Sequence, residues 1–284
     1  MVYYQNIFLR CLLVSMALVT PSRSLIVSSK LFSKLHVPQG YHPETPARIT
    51  SILQHLEQKY KIVEPNTTPE HKDKALSVIL DVHDPNYVNA VKIRSIKGAP
   101  YLQPYDLDTY LSTTSYECTL LAQSAWLDCL NYLVENKSNK FAYAITRPPG
   151  HHAEYKSGEG FCIFNFAAAT AVHAIKSKLV SSVSILDFDV HYGNGVSDIV
   201  QNYTNIRYAS LHQGDIYPIP PKPDGILSSS PNRNILTVNL EPYFKINNYL
   251  ENLNNKVLPF LLGIPTYKRT YLHICLLILY RSSA

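Results

Sequence analysis

The stretch SVSILDFD, residues 182–189, is a nearly continuous run of apolar side chains that ends in two aspartates. A strand that is apolar on both sides is typical of a parallel sheet, because helices cover both of its faces. Similar runs occur at 141–147, 206–212 and 234–240. A helical stretch at 165–178 lies between the run at 141–147 and the run at 182–189. This order predicts an α/β fold with an open, mostly parallel sheet and helices on both faces.

The composition excludes several classes of protein. A hydrophobic content of 46% and a charged content of 17% are typical of a globular chain, and 284 residues can form one large α/β domain. The net charge is only +5, and the basic residues form no run that would favour nucleic-acid binding. The five cysteines form no CxxC pair, which argues against a disulfide scaffold or a cysteine-held zinc site. A metal in this chain would therefore be held by histidine and aspartate.

The N-terminal stretch FLRCLLVSMALVTPSRS places one arginine before a short apolar run, which is then followed by Pro21 and small polar residues. This pattern is typical of a secretory or organellar targeting segment, and it also fits an apolar extension or a first strand. The run is shorter than the ~20 residues of a membrane span, so we expect no membrane span. We set residues 1–29 apart from the domain.

Polar side chains follow three of the predicted strands. They are His151 and His152 after the first strand, Asp187, Asp189 and His191 at the end of the second, and Ser210 and His212 at the end of the third. Because the carboxyl ends of parallel strands lie at one edge of a sheet, these side chains are predicted to share one site.

The stretch LDFDVHYGNG has the composition of a metal site. In an extended chain, side chains alternate, so Asp187, Asp189 and His191 would point to the same side. One imidazole and two carboxylates suit zinc, iron or manganese. The alternative is a strand end whose Asp and His only cap turns, since Asn194-Gly195 is itself a turn signal.

The stretch TRPPGHHAEY contains two adjacent histidines, His151 and His152, in a loop. A metal-activated water needs a general base, and a leaving amine needs a general acid. Two histidines, each oriented by an Asp or Asn, can supply both. A purely structural role for either histidine is the alternative.

Several stretches together resemble a known family. RPPGHHAE, GFCIFN, ILDFDVHYGNG and ASLHQGDIYP, in this order, are similar to the zinc-dependent histone deacetylase superfamily, with its acetylpolyamine and acetoin-utilisation relatives. YHPETPARI at 41–49 resembles a His-Pro-Glu-x-Pro-x-Arg signature of that family. The resemblance implies a deacetylase- or arginase-like α/β fold and hydrolysis of acyl-lysine, or a related acylamide, to the free amine and acetate. Asn194, where many nuclear members have Asp, indicates the class II and bacterial-like branches.

The resemblance also implies a role for individual residues. The zinc ligands would be Asp189 and His191, and the acid/base histidines would be His151 and His152, with Asp187 and Asn194 as their respective partners. A structural potassium ion beside the zinc would be held by Asp187, Asp189, His191, Ser210 and Leu211, partly through backbone carbonyls. The tunnel for the acyl-lysine stem would be lined by Gly160, Phe161 and Tyr217, with Asp108 or Asp106 as the acidic residue at its rim.

Two motifs of the family do not occur in the sequence: a GFDA-like stretch with the third zinc ligand, and a GGY-like stretch with a carbonyl-polarising Tyr. The sequence after residue 262 contains no Asp or Glu. We therefore expect a deacetylase-like domain over residues 30–262 that lacks its C-terminal part, followed by a divergent tail over 263–284. We also expect impaired zinc binding and activity.

Two other functions are compatible with the same residues. An arginase-type manganese hydrolase would need a DxHxD run, and Gly193 stands where the second Asp belongs. A non-catalytic protein could bind acylated ligands or a partner through the remaining site. The expected partner is an acetylated protein, such as a histone, or a small acylamine. The family is typical of the nucleus or cytoplasm, unless the N-terminal segment directs the chain elsewhere.

Overall fold

The computed structural model describes the main part of the chain, together with the backbone of one C-terminal strand. The described residues are 24–103, 106–135, 141–219, 222–263 and 271–276. The proposed targeting segment, up to residue 23, lies outside them.

The described residues form an alternation of strands and helices. The strands are β1 (Ser24–Val27), β2 (Ile62–Val63), β3 (Tyr101–Gln103), β4 (Asp106–Tyr110), β5 (Phe141–Ala144), β6 (Ser182–Asp187), β7 (Ile206–Gln213), β8 (Gly225–Ile226), β9 (Ile235–Leu240) and β10 (Tyr271–Leu276). The helices are α1 (Phe32–Leu35), α2 (Ala47–Leu56), α3 (Pro69–Leu80), α4 (Pro85–Ile96), α5 (Ser115–Glu135), α6 (Phe166–Lys176), α7 (Asn194–Val200), α8 (Ile246–Asn252) and α9 (Leu258–Leu262), with a π-helical turn at Leu253–Val257 before α9.

Most strand pairs are parallel. One sheet has the order β10-β6-β7-β9-β8, and β8 is its antiparallel edge strand. A second sheet has the order β2-β1-β5 and is parallel throughout. The pair β3-β4 is an antiparallel hairpin. The four strands predicted from the sequence are β5, β6, β7 and β9, and the predicted α/β class is confirmed.

Helices cover both faces of the larger sheet. Successive side chains of β6 therefore pack into two different hydrophobic clusters, one on each face. Val183 and Ile185 of β6 pack into a cluster with residues of α5, α6 and α7. Leu186 packs on the other face against a cluster that includes Val257 and Leu261. The near-continuous apolar run of β6 is thus buried on both sides, as the sequence predicts. No helix among the described residues is long and apolar enough to cross a membrane.

Two strands come from segments that the sequence sets apart from the domain. β1 lies within residues 1–29, yet Val27 is fully buried and pairs with Ala144 of β5. β10 lies within the tail 263–284 and pairs in parallel with β6. The folded part of the chain therefore begins before residue 30, and the tail contributes a strand to the sheet.

The register of the larger sheet determines which residues lie beside Asp187 at the edge of the sheet. Asp187 at the end of β6 lies opposite Ser210 of β7, and Ser210 lies opposite Thr237 of β9. Leu276 of β10 lies opposite Asp187 on the other side. β6 ends at this level, while β7 and β9 continue to Gln213 and Leu240. Because these strands are parallel, the loops that follow them lie at the same edge of the sheet.

Candidate active site

His151 forms an ion pair with Asp187 at the end of β6. The Nδ1 of His151 lies 3.0 Å from Oδ2 of Asp187, and that oxygen also accepts a hydrogen bond of 2.8 Å from the Tyr208 hydroxyl. Both partners are buried. Burial by itself would lower the pKa of His151, but the charge and the hydrogen bond of Asp187 raise it above its usual value. His151 is therefore suited to hold a proton.

His152 has a neutral partner instead. Its Nδ1 lies 2.7 Å from Oδ1 of Asn194, the first residue of α7. Burial, together with the neighbouring charge of His151, holds the pKa of His152 well below its usual value. Since the amide oxygen can only accept, Nδ1 carries the hydrogen and Nε2 keeps a lone pair that can take a proton. The centroids of the two rings are only 3.9 Å apart, so a ring suited to hold a proton lies beside a ring suited to accept one.

Asp189 and His191 are brought together by turns instead of by strand alternation. β6 ends at Asp187, and the backbone N–H of Asp189 then donates to Oδ1 of Asp187 (3.2 Å). The N–H of His191 donates in the same way to Oδ1 of Asp189 (2.9 Å). The aspartates thus cap turns, as one sequence interpretation has it, and the same turns place Nδ1 of His191 3.1 Å from Oδ1 of Asp189.

This pair offers the donor types that zinc prefers, a carboxylate and an imidazole. Oδ1 of Asp189 lies 3.9 Å from Nε2 of His151, so the pair adjoins the acid/base histidines. Among the described residues, no group of three or more His, Cys, Asp or Glu side chains is arranged to hold a metal. A catalytic zinc site normally takes three protein ligands. Asp189 and His191 are two residues of the required types, and the described residues show no third beside them.

Three of the five residues assigned to a potassium ion lie on adjacent strands. Asp187 ends β6, Ser210 and Leu211 lie within β7, and all three are buried; the Ser210 hydroxyl lies 2.9 Å from Nδ1 of His212. The structure brings these residues together, and the potassium ion itself stays a prediction.

Gly160 and Tyr217 border His152, and their role as a tunnel wall stays a prediction. The rings of His152 and Tyr217 meet edge to face with their centroids 4.9 Å apart. Gly160 has a φ of +55°, and a Cβ there would lie 2.5 Å from Cδ2 of His152 and 3.0 Å from Cε1 of Tyr217. Phe161 follows with a φ of +69°, and its N–H donates to Oγ1 of Thr109 (3.2 Å). A glycine is required here because the backbone passes so close to the ring of His152.

Substituting this glycine should displace the ring of His152. We expect Gly160→Ala to lower the free energy of unfolding by about 1–3 kcal/mol, because the added methyl overlaps a buried ring and the left-handed backbone disfavours alanine. The matched control is Gly40→Ala, where a Cβ would meet nothing within 4 Å. That control should stay within about 0.5 kcal/mol of the parent in urea unfolding. Equal effects of the two substitutions would contradict the close approach at Gly160.

The rim of the site includes the β3-β4 hairpin. Oδ1 of Asp106 accepts the N–H groups of Asp108 (2.9 Å) and Thr109 (3.3 Å), so this carboxylate closes a turn. The side chain of Asp108 is exposed, while its carbonyl accepts a hydrogen bond of 2.8 Å from Nε2 of His42. Of the two aspartates, Asp108 is the one whose side chain faces solvent.

His83, a buried histidine outside the site, hydrogen bonds to two segments that border the site. The Nδ1–H of His83 donates to the carbonyl of Glu154 (2.8 Å), and its Nε2 accepts the N–H of Asn165 (2.9 Å). The ring therefore ties the loop after His152 to the start of α6. Burial lowers its pKa to about 4. The sequence around His83, DVHDPNYV, gives no signal of this contact.

The low pKa of His83 makes stability depend on pH. Its folded value lies below the 6.5 of the unfolded chain, so its contribution is complete above pH 6.5 and is lost as the pH falls towards 4. At about 1.4 kcal/mol per pH unit, we expect a loss of about 2 kcal/mol from this residue between pH 6.5 and 5. The loss should be absent from the pH profile of His83→Asn, measured by urea unfolding. Identical pH profiles for the two proteins would contradict this account.

A buried ion pair holds the loop that carries the two histidines. Arg147 donates to Glu44 from Nε (2.8 Å) and from Nη2 (2.6 Å). It also donates to the carbonyl of Phe32 (2.6 Å) and to the Tyr110 hydroxyl (2.7 Å). Burial would raise the pKa of Glu44, but Arg147 and its other cationic neighbours hold it at about 2. The stretches YHPETPARI and TRPPGHHAEY thus meet through their charged residues.

The structure combines an α/β fold with two adjacent histidines that lie beside a carboxylate and an imidazole at the end of β6. The chain belongs to the histone deacetylase family, because the model of the histone deacetylase domain matches residues 42–263. This range includes all the site residues predicted from the sequence.

Individual relatives agree with this assignment. The chain is 36% identical over 228 residues to an uncharacterised protein of Synechocystis, covering 78% of this chain and 70% of that protein. It is 29% identical to histone deacetylase 14, chloroplastic, of Arabidopsis thaliana (70% of this chain, 51% of that protein) and 29% identical to the human polyamine deacetylase HDAC10 (60% and 26%). The chain thus spans about half of the plant relative and a quarter of the human one.

Solved structures share the fold. The HD domain of HDA15 superposes with a TM-score of 0.70 at 26% identity, covering 84% of this chain and 68% of that one. An acetylpolyamine aminohydrolase from Burkholderia pseudomallei superposes with a TM-score of 0.68 at 18% identity, covering 84% and 78%.

Proposed function

We propose that this domain hydrolyses an acylamide, either an acyl-lysine in a protein or an acetylated polyamine, to the free amine and a carboxylate. The observation that carries the proposal is the pair of adjacent histidine rings, one held at Nδ1 by Asp187 and the other by Asn194, next to Asp189 and His191. Relatives named histone deacetylase and polyamine deacetylase support the two substrate classes.

The protein's own residues supply the proton transfers. Nε2 of His152 would take a proton from the attacking water as its oxygen bonds to the acyl carbon. His151, kept protonated by Asp187, would give a proton to the leaving nitrogen as the C–N bond breaks. The adjacent rings let both transfers occur at one substrate position. The amide and the water become the amine and the carboxylic acid, which then ionises to the carboxylate. His152 has gained one proton and His151 has lost one, so exchange of these protons with solvent returns both residues to their starting states.

Asp189 and His191 would hold a zinc ion in this proposal. Zinc bound there would polarise the acyl carbonyl and lower the pKa of water. Asp187, Ser210 and Leu211 would hold a potassium ion that supports the same edge of the sheet. Gly160, Phe161 and Tyr217 would enclose the aliphatic stem of the substrate, whose burial contributes ~0.8 kcal/mol per CH₂, and Asp108 would contact the substrate at the rim.

We further propose that the 284-residue chain by itself performs this chemistry weakly. Two ligands in place of three should weaken zinc binding. A missing carbonyl-polarising donor should cost about 10²–10³ in kcat, by analogy with other oxyanion holes. A kcat in the usual range of about 1–10³ s⁻¹ would contradict this second proposal without affecting the first.

Acetate release tests the function directly. The purified chain, with and without added zinc, is given an acetyl-lysine peptide and an acetylated polyamine. We expect slow, zinc-dependent release with one of them, loss of release in His152→Ala, and no change in His55→Ala, a histidine exposed on α2. Binding of the peptide with no zinc-dependent release would favour a non-catalytic protein. Release that is independent of both zinc and His152 would contradict the proposal.

A further inference from the structure

The side-chain amide of Asn194 is held by two carboxylates. Its Nδ2 donates to Oε1 of Glu154 (2.9 Å) and to Oε1 of Glu159 (2.6 Å). Its Oδ1 faces Nδ1 of His152. The oxygen and the nitrogen of this amide thus each have a defined hydrogen-bond partner.

The orientation of this amide decides which nitrogen of His152 can act as a base. With Oδ1 towards the ring, Nδ1 must carry the hydrogen, and Nε2 is left as the acceptor. With the amide turned by 180°, Nδ2 would donate to Nδ1, and the hydrogen would move to Nε2, where it blocks proton uptake. An Asn differs here from an Asp, because both carboxylate oxygens accept and no orientation has to be chosen.

We propose that Glu154 and Glu159 are positioning residues that fix His152 in its Nδ1–H tautomer by orienting the amide of Asn194. Carboxylates accept hydrogen bonds and do not donate them, so only the Nδ2 side of the amide can face the two glutamates. The inference rests on the proposed function of His152 as the base, and it adds two residues that act on His152 through Asn194.

Both glutamates are themselves held in place. The carbonyl of Glu154 accepts from His83, and its N–H donates to the carbonyl of Ser157 (2.8 Å). The carbonyl of Glu159 accepts the N–H of Cys162 (2.8 Å). The Glu159 side chain also lies near the hydroxyl of Tyr217, whose pKa is raised by burial and by the charge of Glu159. Two like charges near one another are costly unless donors separate them, and the two N–H groups of Asn194 are those donors. Glu159 therefore links the tunnel wall to the orientation of the base.

The tautomer can be read without turnover. Protein labelled with ¹⁵N in histidine, without metal and at a pH where His152 is neutral, gives long-range ¹H–¹⁵N spectra in which the two ring nitrogens differ according to which one carries hydrogen. The signals of His152 are assigned by their loss in His152→Ala. We expect the Nδ1–H form in the parent and a shift towards Nε2–H in the Glu154→Gln/Glu159→Gln double variant, with a smaller shift in each single variant.

A third substitution tests whether the two glutamates act by orienting the amide of Asn194 or only stabilise the loop. Adding Asn194→Asp to the double variant places a carboxylate against His152 and against two glutamine amides, so the Nδ1–H form should return. Glu117→Gln, an exposed substitution on α5, is the matched control and should leave the tautomer unchanged. An unchanged Nδ1–H form in the double variant, or in both single variants if the double variant does not fold, would overturn the proposal. These spectra do not depend on acetate release, so the proposed function can fail or hold independently of them.

Discussion

Replacing Glu44 with alanine is expected to lower the free energy of unfolding by about 3–5 kcal/mol, because it leaves the guanidinium of Arg147 buried without its counter-charge. The pair is bidentate, with Nε and Nη2 of Arg147 each within 2.8 Å of a Glu44 oxygen. Arg147 precedes the proline pair of the loop that carries His151 and His152. We therefore expect the loss of stability to be accompanied by disorder of that loop, measured as faster amide exchange at His151 and His152.

Two controls bound this expectation. Glu57→Ala removes the partner of Lys30 in an exposed ion pair, with side chains 39% and 71% exposed, and should cost at most about 1 kcal/mol. Combining Glu44→Gln with Arg147→Met removes both charges and should recover much of the loss, since a buried charge is costly mainly when it is unpaired. A loss below 1 kcal/mol for Glu44→Ala in urea unfolding would show that the pair does not hold the loop.

Replacing Asp189 with alanine is expected to remove most zinc binding. Loss of an outer partner of a zinc ligand costs about 10–100-fold in affinity, so loss of a direct ligand should cost more than ~100-fold. In this chain, the substitution would leave His191 as the single proposed ligand. The measurement is competition with a chromogenic chelator, with Asp108→Ala as the control for an exposed carboxylate. Equal affinities for the parent and Asp189→Ala would rule out this aspartate as a ligand.

The larger strands could be predicted because their residues carry the signal locally. The run ending at Asp187 is apolar on both faces, and β7 and β9 are likewise mostly buried. β5 is a short apolar run whose residues are only half-buried or exposed. β1 could not be separated from the apolar N-terminal stretch, since its membership of the sheet is decided by pairing with β5, more than a hundred residues away. The same holds for β10, whose partner β6 lies far back in the chain.

The sequence predicts that Asp189 and His191 lie together, but the structure brings them together in a different way. Asp189 and His191 were expected to share a side through strand alternation, and they meet through two backbone N–H bonds after the strand has ended. The partners of the histidines, Asp187 and Asn194, came from the family resemblance and lie within hydrogen-bond distance.

Other contacts of the site leave no trace in the sequence. Glu44 and Arg147 are 103 residues apart, and nothing in either stretch states that they meet. Glu154 and Glu159 stand in a loop where acidic residues are common, so their convergence on one amide requires the fold. Long-range polar contacts of this kind depend on how loops pack, which composition and periodicity do not describe.

In the proposed mechanism, the acid/base histidines and the proposed zinc ligands act as one unit. A double-substitution cycle on zinc-dependent acetate release measures this directly, using His152→Ala, Asp189→Ala and the combination of both. Residues of one catalytic unit are strongly non-additive, so we expect each single variant to be about as inactive as the double variant. Effects that multiply independently, or a zinc-dependent rate that survives in either single variant, would contradict the account.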